Sequence, residues 1–290
     1  VRLAARAKIN LRLSVLAREA SGYHQIETVF SSLEFSDDVE IALGGDGLRF
    51  EVESTDNVSV PEGPENLVAR AAHMFFDAIG TQPAAAIKLR KRIPVGAGLG
   101  GGSSDAATAL KGLNLLCRNP LSDAELVQLA GELGSDIPFF LCGSSFAAAW
   151  GRGQRLLPLQ PLPAVTVLLV VPDFQIETKG AYHALSARGT FAGGQARVIE
   201  PVRLQSWEAI REDAVNDFEA ALFPEYTALA EIKQGLIDAG ATMALLSGSG
   251  STVFGLFDLD RSAGRAAKRM KDRFPSVRTI ETRTVAWTGR

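Results

Sequence analysis

Between Pro94 and Ser104 the chain reads Pro-Val-Gly-Ala-Gly-Leu-Gly-Gly-Gly-Ser-Ser, with five glycines in one short stretch. Glycines that do nothing cost roughly 0.5–1 kcal/mol each relative to alanine, so an unused loop of this kind would be expensive. Before it, Ala86 to Ile93 alternates, with Ile87 and Leu89 inward and Lys88 and Arg90 outward, as a strand does. After it, Ala106, Leu110, Leu113 and Cys117 recur at helical spacing, with Ser103 or Ser104 as the expected cap. A glycine loop between a strand and a helix brings bare N–H groups to the positive end of the helix, which makes an anion site. Triphosphate is its natural occupant. A Walker-type loop needs Lys and then Ser/Thr after the closing glycine, whereas Gly102 and Ser103 follow Gly101 here. A dinucleotide fingerprint can be drawn through Gly96, Gly98 and Gly101, yet its strand should be a buried apolar run, and Ile87 to Ile93 is half basic.

The rest of the composition is that of an ordinary globular enzyme. Of 290 residues, 46% are hydrophobic and 22% charged, enough for one large core or two medium ones. The net charge of −3 offers no footprint for nucleic acid or an anionic membrane. The longest apolar run, Ala164 to Val171, is a strand's length rather than a membrane span's. Arg2, Arg6, Lys8 and Arg12 interrupt any leader-like stretch, and Cys117 and Cys142 read as buried reduced thiols. A cytoplasmic location is expected.

Along the chain, Ala7 to Val15 alternates as a half-buried strand, with Lys8, Asn10, Arg12 and Ser14 on its polar face. Ser21-Gly22 marks a turn. Thr28–Leu33 and Val39–Leu43 read as separate strands, and Gly44 to Gly47 as a hairpin leading into Leu48–Val52. Asn66 opens a helix that Gly80 stops, and Ser122 with Glu125 forms a capping box. Three prolines between Pro158 and Pro163 suggest a domain boundary, giving domains 1–160 and 161–290. The second begins with the strand Val165–Val171. The Gly/Ala/Arg-rich stretch Ser186–Arg197 is expected to be a mobile loop. Helices near Trp207–Leu222 and Pro224–Ala239, strands within Met243–Phe257, a basic helix Arg261–Arg273 and a strand ending near Trp287 complete the chain. Strands and helices mix without strict alternation, so the fold class is α+β.

The full string Pro94-Val-Gly-Ala-Gly-Leu-Gly-Gly-Gly-Ser-Ser-Asp105-Ala-Ala resembles the second motif of the GHMP kinases, which include galactokinase, homoserine kinase and mevalonate kinase. Ala7-Lys8-Ile9-Asn10-Leu11 and Ser247-Gly248-Ser249-Gly250-Ser251 match the first and third. Within that superfamily, Gly22-Tyr23-His24, Glu27-Thr28-Val29-Phe30 and Gly134-Ser135-Asp136-Ile137-Pro138 resemble the kinases that act on cytidine-diphosphate methylerythritol, a sugar alcohol of the non-mevalonate isoprenoid route. The resemblance implies a ribosomal-protein-S5-like N-terminal domain, a ferredoxin-like C-terminal domain, and ATP-dependent phosphorylation of the substrate's 2-hydroxyl. Other readings are a GHMP kinase for another alcohol, against which Gly22-Tyr23-His24 argues, and a GHMP-fold binding protein without turnover.

By that resemblance Asp136 is the general base and Lys8 its electrostatic partner; Asp136 also suits a helix N-cap. Pro94, Val95, Gly96, Ala97, Gly98, Leu99, Gly100, Gly101, Gly102, Ser103 and Ser104 form the ATP site. Ser103 and Ser104 either bond phosphate or magnesium or cap the helix, and Asn66 either touches adenine or serves as an N-cap. Asn10, Tyr23 and His24 fall to the substrate, with Tyr23 stacking on cytosine and His24 bonding its polar edge. Three histidines and no carboxylate cluster indicate no transition-metal site, and magnesium would arrive with ATP. The basic run Lys88, Arg90, Lys91, Arg92 reads as a solvated strand face. No membrane or nucleic-acid partner is expected, and the chain would act as a monomer or weak homodimer.

Overall fold

The computed structural model describes residues 1–54, 60–61, 63–188 and 199–286. They form two compact units whose boundaries do not follow chain order. The first comprises 1–7, 35–95 and 100–144; the second comprises 8–34, 96–99 and 145–290. The prolines Pro158–Pro163 fall within the second of these units. The interleaving comes from the length of two strands, β1 (Arg2–Arg18) and β2 (His24–Leu43), each of which supplies one part to each unit. The two strands read as Thr28–Leu33 and Val39–Leu43 are one continuous β2.

In the first unit, β3 (Gly47–Ser54) runs parallel to β4 (Ala84–Lys91), and β4 pairs antiparallel with the C-terminal part of β2, Ile41 opposite Ile87. The expected hairpin from Gly44 to Gly47 is thus absent, because β4 lies between β2 and β3. Three helices bury one face: α1 (Leu67–Ala78), α2 (Gly101–Leu116) and α3 (Asp123–Leu133). Val68, Ala72 and Phe75 of α1 and Ala106, Leu110 and Leu113 of α2 pack with Ile41, Ile87 and Leu89. Ser122 and Glu125 make the expected capping box on α3, and Gly80 ends α1 at φ +68°.

The second unit holds the antiparallel sheet β10–β7–β9–β8, from Arg278–Arg283, Thr166–Val171, Val253–Phe257 and Met243–Leu246. α7 (Thr227–Asp238) and α8 (Asp260–Arg273) pack on it. The N-terminal part of β2 pairs with β5 (Phe146–Gly151), and β5 with the edge strand β6 (Arg155–Pro158), where a proline is tolerated. α4 (Thr178–Ala187), α5 (Trp207–Glu212) and α6 (Asp217–Leu222) fill the remainder. Leu168, Val170, Leu185, Phe218, Leu229 and Leu236 share its core. α4 takes up Ser186 and Ala187; residues 189–197 of the loop expected there, and Trp287, lie outside the described residues. Among the described residues no helix is long and apolar enough to cross a membrane. Both cysteines are free and half-buried, with thiol pKa values pushed up by burial.

The basic run at the end of β4 is solvated in part, with Lys88, Arg90 and Arg92 facing solvent and Lys91 buried. Lys88 and Arg90 pair with Glu53 of β3, and Arg92 with Asp38. Lys91 is buried, where its ammonium donates to Asp37 and to Asp105 of α2, the latter at 2.8 Å. The other Asp37 oxygen accepts the backbone N–H groups of Arg92 and Ile93. Asp37 thus fixes the chain just before the glycine-rich segment, and Lys91 ties that point to Asp105 just after it. Two carboxylates around one ammonium in a dry site do not both ionise cheaply. Burial, opposed by the Lys91 charge and reinforced by that of Asp37, pushes the Asp105 carboxyl up to about 8. Burial also pulls on the Lys91 ammonium, but its two carboxylate neighbours outweigh this and raise its pKa.

For Asp105 the folded pKa lies above the unfolded one, so the native state holds a proton that the unfolded chain has released. Its contribution to stability therefore falls as pH rises from about 4 to about 8. Urea unfolding at several pH values across that window should show a decline that Asp105→Asn largely abolishes. An unchanged decline in Asp105→Asn would remove Asp105 as its source.

Candidate active site

In the second unit, β1 carries Lys8 and Asn10 on the face expected to be polar and half-exposed. Both are buried, Lys8 at 3% exposure. A charged residue buried on a strand needs fixed partners. The Lys8 ammonium donates to Asn10 Oδ1 at 2.8 Å and to the Gly98 carbonyl at 3.2 Å. Asn10 Nδ2 in turn donates to Thr28 Oγ1, and Thr28 donates to the Arg12 carbonyl. The amide of Asn10 is thereby oriented, and with it the end of Lys8.

Gly98 is the hinge of this arrangement. Its φ is +77°, and a Cβ there would lie 2.1 Å from the Ser247 carbonyl oxygen. Only glycine fits. Ser247 Oγ donates to the Gly98 carbonyl at 3.0 Å, and Thr252 N–H to the Ala97 carbonyl, while Lys8 N–H donates to the Leu99 carbonyl. The Ser247–Ser251 turn between β8 and β9 therefore closes on Gly98 and on Lys8. A Cβ on Gly248 would sit 3.4 Å from Lys8 Nζ. Two of the three motifs noted in the sequence meet here, with the middle of the third.

Tyr23 and His24 lie at the turn from β1 to β2. Tyr23 is 59% exposed, and the Arg152 guanidinium stands 3.9 Å from its ring centroid, covering one face. Arg152 is held by Glu19. The His24 ring stacks on Tyr182 of α4 at 4.5 Å between centroids, and its Nε2 faces Ser186 Oγ at 3.2 Å. Ser186 spends its proton on the Tyr182 carbonyl, so toward His24 it accepts and Nε2 carries the hydrogen. Burial, then the charge of Arg18, pushes the imidazole pKa down and favours its neutral form. Tyr182 and Arg152 escape the sequence reading because nothing in the order of residues places them beside the turn.

In the first unit, α2 starts at Gly101 behind Gly100 in the left-handed conformation, and no side chain caps it. Ser103 and Ser104, expected as caps, sit inside the first turn. Ser104 is buried at 1% exposure, whereas Ser103 is half-buried. The glycines differ as well. A Cβ on Gly101 would press on Ile93 and on Lys91 Nζ at 2.9 and 3.0 Å, while one on exposed Gly102 would meet only Leu67 at 3.7 Å. Gly101 is thus demanded by packing, and Gly102 leaves open space over the uncapped N–H groups. Asn66 is the N-cap of α1: its Oδ1 accepts from Val68 N–H and its Nδ2 donates to the Pro61 carbonyl. Asp136 stands at the head of the 3-10 helix Ile137–Leu141, half-buried, and makes no capping bond there. That helix packs on α2 and α3. Among the described residues no group of three or more His, Cys, Asp or Glu is placed to hold a metal.

Residues 66–144 match the model of the GHMP kinases N terminal domain, and residues 198–276 that of the GHMP kinases C terminal domain. The chain is 42% identical over 272 residues to the 4-diphosphocytidyl-2-C-methyl-D-erythritol kinase of Pelotomaculum thermopropionicum, covering 92% of each. It is 39% identical over 282 residues to the enzyme of that name from Geobacter sulfurreducens, covering 96% of this chain and 98% of the relative. A crystal structure of 4-(cytidine 5'-diphospho)-2C-methyl-D-erythritol kinase superposes with a TM-score of 0.82 at 34% identity, over 99% of this chain and 100% of that one.

The glycine geometry separates folding from ligand binding. Gly102→Val should keep the wild-type melting temperature and weaken ATP binding by about tenfold or more in calorimetric titration. Gly98→Ala should instead lower the melting temperature, because the new methyl group enters the Ser247 carbonyl. Wild-type ATP affinity in folded Gly102→Val would contradict the site.

Proposed function

The chain belongs to the family of 4-diphosphocytidyl-2-C-methyl-D-erythritol kinases, and from that premise we propose that it transfers the γ-phosphoryl group of ATP to the 2-hydroxyl of 4-diphosphocytidyl-2-C-methyl-D-erythritol. The observation that carries the reading is the buried Lys8, tethered to Asn10 and to the Gly98 carbonyl in the middle of the glycine-rich segment. A fixed cation at that point is suited to the charge that develops on a moving phosphoryl group.

The residues fit a triphosphate. The uncapped start of α2 offers N–H groups without side-chain partners, and Gly102 leaves the approach open. Pro94 to Ser104 forms the phosphate cradle in this reading, with half-buried Ser103 the more accessible of its two hydroxyls. Magnesium enters with ATP, held by phosphate oxygens. Asn66 contributes to the adenine side by fixing the start of α1, since both ends of its amide are engaged. Asp136, at the head of the 3-10 helix, takes the proton of the attacking hydroxyl, and Lys8 lowers the cost of the charge. Asn10 orients Lys8. A kinase fed by ATP is expected to work in the cytoplasm.

At the far end of the substrate, Tyr23 offers one aromatic face to cytosine while Arg152 supports the other. Neutral His24, held against Tyr182, reads the polar edge of the base. Binding energy gained there serves to position the hydroxyl. The discriminating experiment compares phosphorylation of the cytidine-diphosphate substrate with that of the same sugar alcohol phosphate lacking the nucleotide, beside homoserine and mevalonate. Only the first should be turned over efficiently. Equal use of the truncated compound would leave a GHMP kinase without a cytidyl pocket. In the same assay Tyr23→Ala should cost about 1–3 kcal/mol in kcat/KM with ATP affinity unchanged, and Tyr23→Phe little.

A further inference from the structure

The segment Val215-Asn216-Asp217-Phe218-Glu219 holds the N-cap and first turn of α6 and has no part in the chemistry just described. Its hydrogen bonds nevertheless lead to that chemistry from two sides. Toward β1, the Val215 carbonyl accepts from Leu13 N–H at 2.8 Å and Asp217 Oδ2 accepts from Val15 N–H at 2.7 Å. Leu13 lies on the strand that carries Lys8 and Asn10. Toward the Ser247–Ser251 turn, Asn216 Nδ2 donates to the carbonyls of Leu246 and Gly248, each at 2.8 Å. Glu219 Oε1 accepts from Leu246 N–H at 2.8 Å, and Lys233 holds its other oxygen at 2.5 Å.

Asn216 is buried, and both ends of its amide are occupied. The oxygen caps α6 by accepting from Phe218 N–H at 3.0 Å; the nitrogen grips the turn. The gripped turn is the one whose Ser247 bonds the Gly98 carbonyl and whose Gly248 lies against Lys8 and Asn10. Two carbonyls pointing at one nitrogen demand a donor with two hydrogens, which among short side chains is asparagine.

We propose that Asn216 is a positioning residue for phosphoryl transfer: by holding the Leu246 and Gly248 carbonyls, it seats the Ser247–Ser251 turn on Gly98 and Lys8. It touches neither nucleotide nor alcohol. Its effect passes through the turn to the Lys8 ammonium, where small displacements of a charged group weigh on the transition state more than on ground-state binding. The inference rests on the kinase reading above.

The two functions of the amide can be separated by substitution. Asn216→Asp keeps an oxygen to cap α6 and replaces the donor by an acceptor facing two carbonyls. Asn216→Ser keeps a capping hydroxyl and lacks the reach to the turn. In either variant kcat should fall by roughly 10²-fold, the loss expected for a misplacement of about 1 Å. KM for the cytidine-diphosphate substrate should stay close to wild type, because Tyr23 and His24 are untouched. Should Asn216→Asp fail to fold, Asn216→Ser carries the same test. A folded variant with wild-type kcat and only a lowered melting temperature would reduce Asn216 to a helix cap and overturn the proposal. So would an equal loss in kcat and rise in KM for both substrates. The wild-type protein in the same assay separates the two readings: if it fails to phosphorylate the cytidine-diphosphate substrate, the kinase assignment falls, whereas active wild type with fully active variants removes only the positioning role.

Discussion

The approach of Gly98 to the backbone of the Ser247–Ser251 turn is the constraint on which the placement of Lys8 depends. At φ +77°, with the Ser247 oxygen where a side chain would begin, Gly98 presents its carbonyl to two donors, Lys8 Nζ and Ser247 Oγ. Strand β1, the glycine-rich segment and the β8–β9 turn are distant in sequence and are held together at this one carbonyl. Any side chain at Gly98 would force the turn outward and release Lys8 from its tether.

The first unit answers a different demand, that of keeping the start of α2 in place without using a side chain to cap it. A conventional cap would satisfy the free N–H groups and so compete with an anion. The restraint comes from below instead, where Asp37, Lys91 and Asp105 fasten the chain on either side of the glycines. Burying one cation with two carboxylates is a costly way to hold a loop, and it leaves the helix end open.

Much of this was legible in the sequence because its signals are local. Asn66, Gly80, Ser122 and Glu125 marked helix ends through short-range bonding rules, and the alternation in Ala86–Ile93 marked the strand that forms at Ala84–Lys91. The order of three glycine- and lysine-bearing motifs pointed to the family. What escaped depends on contacts between distant residues. Lys8 and Asn10 looked half-exposed because alternation reports two faces and does not say that both are covered. Lys91 looked solvated beside Lys88 and Arg90, although its partners lie on β2 and α2. Gly44 to Gly47 has hairpin chemistry, yet β4 takes the neighbouring place in the sheet. Tyr182, Arg152 and Asn216 carry no signature at all until the chain has folded.

In the proposed reaction Lys8 and Asp136 act on one phosphoryl transfer, the first on its charge and the second on its proton. A double-mutant cycle on kcat with Lys8→Met, Asp136→Asn and the combined variant tests this most directly. Each single change should lower kcat by roughly 10²–10⁴, the range for a positioned acid–base group, with far-UV circular dichroism preserved. The combined variant should lose far less than the product of the two, as residues that act as a unit do. Losses that multiply in full, or a folded Lys8→Met protein with near wild-type kcat, would contradict it.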